Sequence, residues 1–455
     1  MLSAENTDLL CRVGRGTPMG DLMRQYWLPV GYSWEYEAEG QPQRVRVLGE
    51  DLVIWRTLDG TPAFTQANCP HRGAGFFYGR TEEEGLRCAY HGWKFDADGQ
   101  CVDMPNEPAE SAFKQKVRIT AYKGADYGGV TWIYMGPNQD DPPGIPLFEW
   151  GQIPPENVSY AQKIVYECNW MQALEGELDS THVYFLHRRL NVDDSPRYGL
   201  YHNDQRANFH ISEKPYGFTY GAERHELDGN VYWRTTQFIF PIYGMFPAQD
   251  GVVPLSIYLP VDDYHTVHMG IWWKPAGEMP GNGKPHSALP EEPGTLVPGV
   301  GPMKPEQHGR FFAKWWPQAA PDSDFLMDQT AKQRNATGIP TVRLQDSAVI
   351  HSMGPIMDRT REHLGTTDVS IIRARRMLLR AATQLREDGT PPPASEHPEQ
   401  YTVRSCATVL PPGADWEAEL GDWHNCRTTE FPRKLADVQR AFEERTLPSS
   451  PSYRR

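Results

Sequence analysis

The sequence predicts an α+β protein of two unequal parts, an all-β amino-terminal domain followed by a larger mixed domain. Three observations carry this. Short strand-like runs crowd residues 42–137. A polar segment rich in Pro and Gly follows at 136–144. Beyond it, a helical stretch near 169–188 precedes longer strand-like runs at 208–222, 230–241 and 254–273. With 455 residues, each part is long enough to bury a core of its own.

Taken in order, Gly16-Thr17-Pro18 opens a helix over 18–25, with the Thr17 hydroxyl placed to cap it and Pro18 in the first turn. The runs RVRVLG, DLVIWRT, PAFTQAN, GLRCAYH, KFDADGQCV and GVTWIYMG are punctuated by Gly, Asp and Asn, as a compact antiparallel sheet requires. We place the first domain at 1–150, with its β core at about 27–137, and the second at 151–455. Residues 275–305 are dense in Pro and Gly on a polar background and read as a surface excursion or lid. Helices are expected over 305–335 and 360–387, and the Pro-interrupted stretch after 390 as a wrapping tail.

Composition narrows the function. A formal net charge of −14 argues against nucleic-acid binding, which needs clustered Lys and Arg. No apolar run approaches the roughly 20 residues that span a bilayer, and the opening MLSAENTDLLCRVGRG lacks the features of a signal peptide. A cytoplasmic location is the expectation. The seven Cys, at 11, 69, 88, 101, 168, 406 and 426, are odd in number and widely scattered, unlike a disulfide framework. Clustered Cys and His are then better read as metal ligands.

Cys69-Pro70-His71 and Cys88-Ala89-Tyr90-His91 form two Cys/His pairs separated by 16 residues. Zinc accepts two Cys and two His in tetrahedral geometry, but zinc fingers commonly place a Cys pair before a His pair. A [2Fe–2S] cluster explains the alternation better, with thiolates on one iron and imidazoles on the other. Cys101 has no partner in the pattern and reads as a packing residue. Further on, Asp179-x-x-His182-x₄-His187 lies in a helical stretch. At about 100° per residue, Asp179 and His182 lie roughly 60° apart, while the two histidines are about 7.5 Å apart along the axis. A straight helix spreads them too far, so a bend or helix end between His182 and His187 is expected. Two His and one carboxylate form the facial triad of mononuclear non-haem Fe(II).

These motifs resemble the Rieske non-haem iron oxygenases, specifically the phthalate dioxygenase-like branch of their oxygenase (alpha) subunits. The segment from CPHRGAG to CAYHGWKF is similar to the family's cluster signature, and Asn169-Trp170 through His187 to its iron motif. The opening GRGTPMGDLMRQYWLPVGY and the block TVRLQDSAVIHSMGPIMDRTREHLG are similar to that branch's two ends. The resemblance implies a Rieske β domain joined to a helix-grip (START-like) antiparallel-sheet catalytic domain. It implies that Cys69, His71, Cys88 and His91 hold the [2Fe–2S] cluster, and that His182, His187 and Asp346 hold the mononuclear iron. Asp346 is the Asp of a Gln-Asp pair; Asp358 is its rival as third ligand, and Glu362, Asp368 and His351 read as surface or structural groups. Asp179 is implied as a bridge between His71 or His91 of one subunit and an iron-ligand histidine of the next, in a head-to-tail trimer or stacked hexamer. No G-x-G-x-x-G nucleotide motif is present, so electrons are expected from NAD(P)H through a separate flavin and iron–sulfur reductase.

The expected activity is O₂-dependent hydroxylation or dihydroxylation of an aromatic ring, with an aromatic carboxylate as substrate and aryl-ether O-demethylation as the alternative. Ser180, Arg197, Arg206 and Arg234 are candidates to meet the substrate anion. The runs Phe238-Ile239-Phe240 and Trp272-Trp273 suit either a pocket lining or strand core. A Rieske electron carrier without oxygenase chemistry is the reading from another class, and it leaves Asp179, His182, His187 and Asp346 without a task. A zinc-stapled binding protein is a third.

Overall fold

The structure, a computed structural model, describes residues 1–432 apart from 38–39, 84, 109, 188–205, 226–229, 250, 280–295, 298–300 and 334–336. The chain enters through two helices, Ala4–Cys11 and Pro18–Arg24. Thr17 caps the second as expected, its hydroxyl accepting from Gly20 N–H. Four strands follow: β1 (Trp27–Tyr32), β2 (Gln43–Val47), β3 (Glu50–Arg56) and β4 (Pro62–Gln66). A small four-stranded sheet comes next: β5 (Arg80–Glu82), β6 (Gly85–Arg87), β7 (Lys94–Phe95) and β8 (Cys101–Asp103). Strands β9 (Ala121–Tyr127) and β10 (Val130–Tyr134) return to the first sheet, which is antiparallel in the order β1-β10-β9-β4-β3-β2. On its edge strand β2, Val45 and Val47 are buried while Arg44 and Arg46 stay partly exposed, a pattern that discourages pairing with another chain.

The second sheet holds β11 (Val158–Tyr166), β12 (Asn208–Lys214), β13 (Gly217–His225), β14 (Val231–Ile239), β15 (Tyr243–Met245), β16 (Val253–Pro260) and β17 (Thr266–Trp273). Its order is β11-β17-β16-β15-β14-β13-β12. The ribbon β18 (Leu296–Val297) and β19 (Gly301–Pro302) is all that is described of residues 280–300 and their partner strand, so most of the expected excursion lies outside the described residues. Helix Trp170–Leu178 lies on β15 and β16 and packs against helix Val342–Ser352. Strands β14 and β16 are buried along their whole length because the sheet is covered on both faces.

Two expectations are corrected. Of the helix expected over 305–335, the described residues 305–333 form turns and short 3₁₀ segments (Pro321–Leu326 and Gln329–Gln333) instead. Pro305, Pro317 and Pro321 remove backbone donors there, and Asp324 and Phe325 take left-handed φ values of +46° and +53°. The stretch after 390 is more than a wrap, since β20 (Cys406–Leu410) pairs with β14 inside the second sheet and helix Trp416–His424 follows. The expected helix over 360–387 forms as Val369–Asp388, closed by Gly389 in the left-handed region.

A buried ion pair ties the two sheets together. Lys163 on β11 reaches Glu35, just after β1, with Nζ–Oε distances of 2.7 and 2.9 Å. The pair is closed off by Trp315 Nε1, which donates to Glu35 Oε2 at 2.7 Å, and by Tyr32 N–H, which donates to Oε1 at 2.7 Å. A desolvated carboxylate satisfied in this way is costly to disturb. Gly31 supplies the room: a Cβ there would stand 2.6 Å from Lys163 Nζ and 2.7 Å from Tyr36 Oη. Gly31→Ala is therefore expected to destabilise the protein by about 1–3 kcal/mol through overpacking, measured as a lowered thermal midpoint. An unchanged midpoint would show that the ion pair yields freely.

Candidate metal centres

Two matching loops present the first ligand set. Cys69 N–H donates to Ala74 C=O (2.8 Å), and Gly73 N–H donates back to Cys69 C=O (2.9 Å). The second loop repeats this, with Cys88 N–H to Trp93 C=O at 2.9 Å and Gly92 N–H to Cys88 C=O at 3.1 Å. The fourth residue after each cysteine stands at left-handed φ, +75° at Gly73 and +76° at Gly92, which favours glycine at both places. Cys69 and Cys88 are buried, and His71 and His91 are partly exposed. The imidazole centroids are 4.5 Å apart, and Trp93 stacks on His71 at 4.3 Å.

These residues fit a [2Fe–2S] cluster. His71 Nδ1 is buried with no hydrogen-bond partner, so its lone pair is available to a metal. Burial pushes the Cys69 thiol up to about 12, opposed by a backbone N–H at His71 and reinforced by the neighbouring Cys88. Two enclosed thiols of this kind become thiolates when cations sit against them. Two sulfur and two imidazole donors are the set a Rieske centre uses.

The second ligand set depends on where a helix stops. Helix Trp170–Leu178 begins at Asn169, whose side chain accepts from Met171 N–H, and ends at Asp179, which is extended at φ −90° and ψ 115°. A short helix, His182–Phe185, follows, and His187 comes just after it. A helix end thus falls between the two histidines, at Phe185, as expected, and a further break falls before His182, leaving Asp179 outside the helix that carries it. Asp179 causes the break: its Oδ1 accepts from Thr181 N–H (2.6 Å) and His182 N–H (3.4 Å), a local alternative to helical bonding that short acidic side chains favour. Arg224 on β13 fixes the turn from behind by donating to Ser180 C=O at 3.0 Å.

Helix Val342–Ser352 brings Asp346 to the same point. One ligand atom from each of His182, His187 and Asp346 lies within 4.8 Å of the others. Asp346 Oδ1 stands 3.1 Å from His187 Nε2 and 3.5 Å from His182 Nε2. Burial works to raise the Asp346 carboxyl, but the His187 hydrogen bond and the charges of His187, His182 and Arg343 hold it below its ordinary range. The far side of each imidazole is also engaged. His187 Nδ1 meets Gln345 Oε1 at 2.8 Å, while the Gln345 amide donates to Ile339 C=O at 3.1 Å. That orients the amide, so Nδ1–H donates and Nε2 faces Asp346 and His182. His182 Nδ1 lies 3.5 Å from Asp179 Oδ2. The donor set of two imidazoles and one ionised carboxylate fits a mononuclear iron.

Other candidates fall elsewhere. Asp358 is exposed and accepts from Thr360, Glu362 pairs with Arg375, and Asp368 caps an exposed turn. His351 is satisfied, accepting from Glu167 N–H at Nε2 and meeting Ser347 C=O at Nδ1. Ser180 and Arg234 line a cavity of about 140 Å³ that also exposes His182, His187 and Asp346. Arg206 is exposed, and Arg197 lies outside the described residues. Phe238, Phe240 and Trp273 are core, and Phe246, Tyr220 and Tyr258 supply the aromatic lining.

Sequence reasoning missed three residues here. Gln345 had a signal, its place beside Asp346. Glu177 and Arg343, which face the cavity, had none, because a charge on an amphipathic helix ordinarily reads as solvated. Gln345→Leu is expected to lower iron affinity by about tenfold to a hundredfold, measured by competition with a chelator. Unchanged affinity would show that His187 needs no orienting partner.

The Rieske [2Fe-2S] domain family matches residues 26–122, and the LigXa C-terminal domain-like family matches 133–284 and 309–432. The 3-chlorobenzoate-3,4-dioxygenase oxygenase subunit of Comamonas testosteroni is 38% identical, over 91% of this chain and 97% of the relative. The phthalate 4,5-dioxygenase oxygenase subunit of Pseudomonas putida is 34% identical, over 91% and 94%. Among solved structures, NdmA of Pseudomonas putida CBB5 with theobromine (QL mutant) superposes with a TM-score of 0.55 at 18% identity, covering 83% of this chain and 96% of that one.

Proposed function

This chain belongs to the Rieske non-haem iron oxygenases, as the oxygenase component of a multicomponent system, and from that premise we propose that its substrate is an aromatic carboxylate held by Arg234. The observation that carries the reading is the position of the Arg234 guanidinium. Arg234 as a residue is 7% exposed, stands on a cavity wall with Ser180 and Tyr220, and shares that cavity with His182, His187 and Asp346. A guanidinium forms paired, charge-assisted hydrogen bonds with a carboxylate. The two relatives named above act, by their names, on 3-chlorobenzoate and phthalate, both aromatic carboxylates.

When bound, the cluster supplies electrons and the mononuclear iron activates O₂ for insertion into the ring. The protein's own residues orient the reactants. Arg234 and Ser180 fix the carboxylate end, Phe246 and Tyr220 hold the ring and exclude water, and Gln345 keeps the His187 ring turned towards the reacting centre. Cys69, His71, Cys88 and His91 hold the cluster, and His182, His187 and Asp346 hold the iron. Asp179 faces His182 Nδ1 on one side and accepts an imidazole N–H of a neighbouring subunit's cluster ligand on the other, in a head-to-tail trimer or a stack of two. A separate flavin and iron–sulfur reductase passes electrons from NAD(P)H. A reducing cytoplasm, in which Cys69 and Cys88 stay unoxidised, is the compartment this reading carries; among the described residues no helix is long and apolar enough to cross a membrane.

The test is a panel of benzoates and their uncharged analogues, supplied with reductase, NADH and O₂. Carboxylates are expected to turn over, and Arg234→Gln to raise their KM by about tenfold to a hundredfold, the loss of one charge-assisted contact. Equal turnover of uncharged analogues would overturn the carboxylate reading. Diol products mark dihydroxylation, and formaldehyde release marks O-demethylation. Asp179→Asn is expected to keep both metals and lose most turnover; near-normal coupled turnover would remove its bridging role.

A further inference from the structure

The cavity has a second polar end, away from Arg234. Glu177 rises from the last turn of helix Trp170–Leu178 over β15, where Gly244 leaves it room. A Cβ at Gly244 would stand 2.5 Å from Glu177 Cγ and 3.2 Å from Glu177 Cβ. Tyr258 on β16 donates its hydroxyl to Glu177 Oε2 at 2.6 Å. Glu177 is deep in the protein yet keeps accessible surface, and that surface opens into the cavity. Burial raises its carboxyl above the ordinary range; Arg343, Tyr258 and Ser256 pull the other way, and Asp346 adds to the rise.

Strand register measures the distance between the two ends. Phe238, Gly244 and Ser256 sit opposite one another across β14, β15 and β16. The Glu177 end is therefore level with Phe238, four residues along β14 from Arg234. Four residues of strand span about 13 Å, and the two long side chains reach inward from its ends. What remains suits one aromatic ring carrying a substituent at each side.

We propose that Glu177, held by Tyr258, is a specificity-determining residue that hydrogen-bonds a ring hydroxyl, so that the substrate is a hydroxy-substituted aromatic carboxylate. This rests on the carboxylate reading above and adds the far end of the molecule. A hydroxyl is the substituent that satisfies Glu177 in either ionisation state, donating to a carboxylate or accepting from a carboxylic acid. An ether oxygen only accepts, a halogen or hydrogen adds no bond to the one from Tyr258, and a second carboxylate brings like charge against it. Sites built to bond a hydroxyl reject analogues without one far more strongly than apolar sites reject small differences in size.

Calorimetric binding to the metal-loaded protein without O₂ tests this, with benzoate, 3- and 4-hydroxybenzoate, 4-methoxybenzoate and phenol as probes. A hydroxybenzoate is expected to bind at least about tenfold tighter than benzoate, with 4-methoxybenzoate no better than benzoate and phenol weak. Glu177→Leu is expected to erase the hydroxyl preference, so that hydroxybenzoates and benzoate bind alike, and Glu177→Gln to keep most of it. Gly244→Ala, which drives Glu177 from its seat, is expected to match Glu177→Leu. Equal binding of hydroxybenzoates and benzoate by the unaltered protein overturns the Glu177 assignment and leaves the carboxylate reading standing. Failure of every carboxylate to bind overturns both.

Discussion

Asp179 spends its two carboxylate oxygens on different tasks, and the arrangement of the catalytic centre depends on that division. Oδ1 takes the N–H groups of Thr181 and His182 and stops the helix; Oδ2 turns towards His182 Nδ1. If the helix continued, the histidines would point in directions that share no common centre. The stop lets a second, shorter helix begin at His182, and the end of that helix at Phe185 brings His187 to Asp346. Arg224 keeps the turn from relaxing, since its guanidinium is bonded to the backbone of Ser180. Cap, ligand geometry and proposed electron bridge therefore rest on one side chain.

Around this turn the protein buries charge in complete sets. Glu175, on the helix that Asp179 ends, pairs with Arg359 at 3.1 Å and Arg375 at 2.6 Å, and Arg375 also binds Glu362. Arg359 also donates to the Cys11 sulfur, which links the amino-terminal helix to the catalytic helices. The Glu35–Lys163 pair does the same between the two sheets. Buried ion pairs add little net stability compared with apolar packing, but breaking one leaves an uncompensated charge. Their effect here is geometric, because they allow few alternative arrangements of the elements that carry the ligands.

The chemistry was more legible in the sequence than the architecture. The cysteines and histidines of the first centre announce themselves because Cys and His paired twice at short spacing have few uses other than holding a metal. Strand runs read well where side chains alternate, as in β2. The helix expected over 305–335 gave way, in residues 305–333, to prolines at 305, 317 and 321 and to the burial of Trp315 and Trp316. Strand β20 was hidden because pairing with a partner about 170 residues away leaves no local trace. Glu177 was hidden for a related reason: its burial depends on Gly244, whose smallness carries meaning only once the strands are aligned.

The matching loops around Cys69 and Cys88 carry a further consequence. Each is closed by its own backbone amides and by a glycine already in the left-handed region, so the shape of the loop is written into the main chain. Any side chain at Gly73 or Gly92 would strain its loop, and the strain would fall on the histidine that lies between that glycine and the cysteine four residues before it.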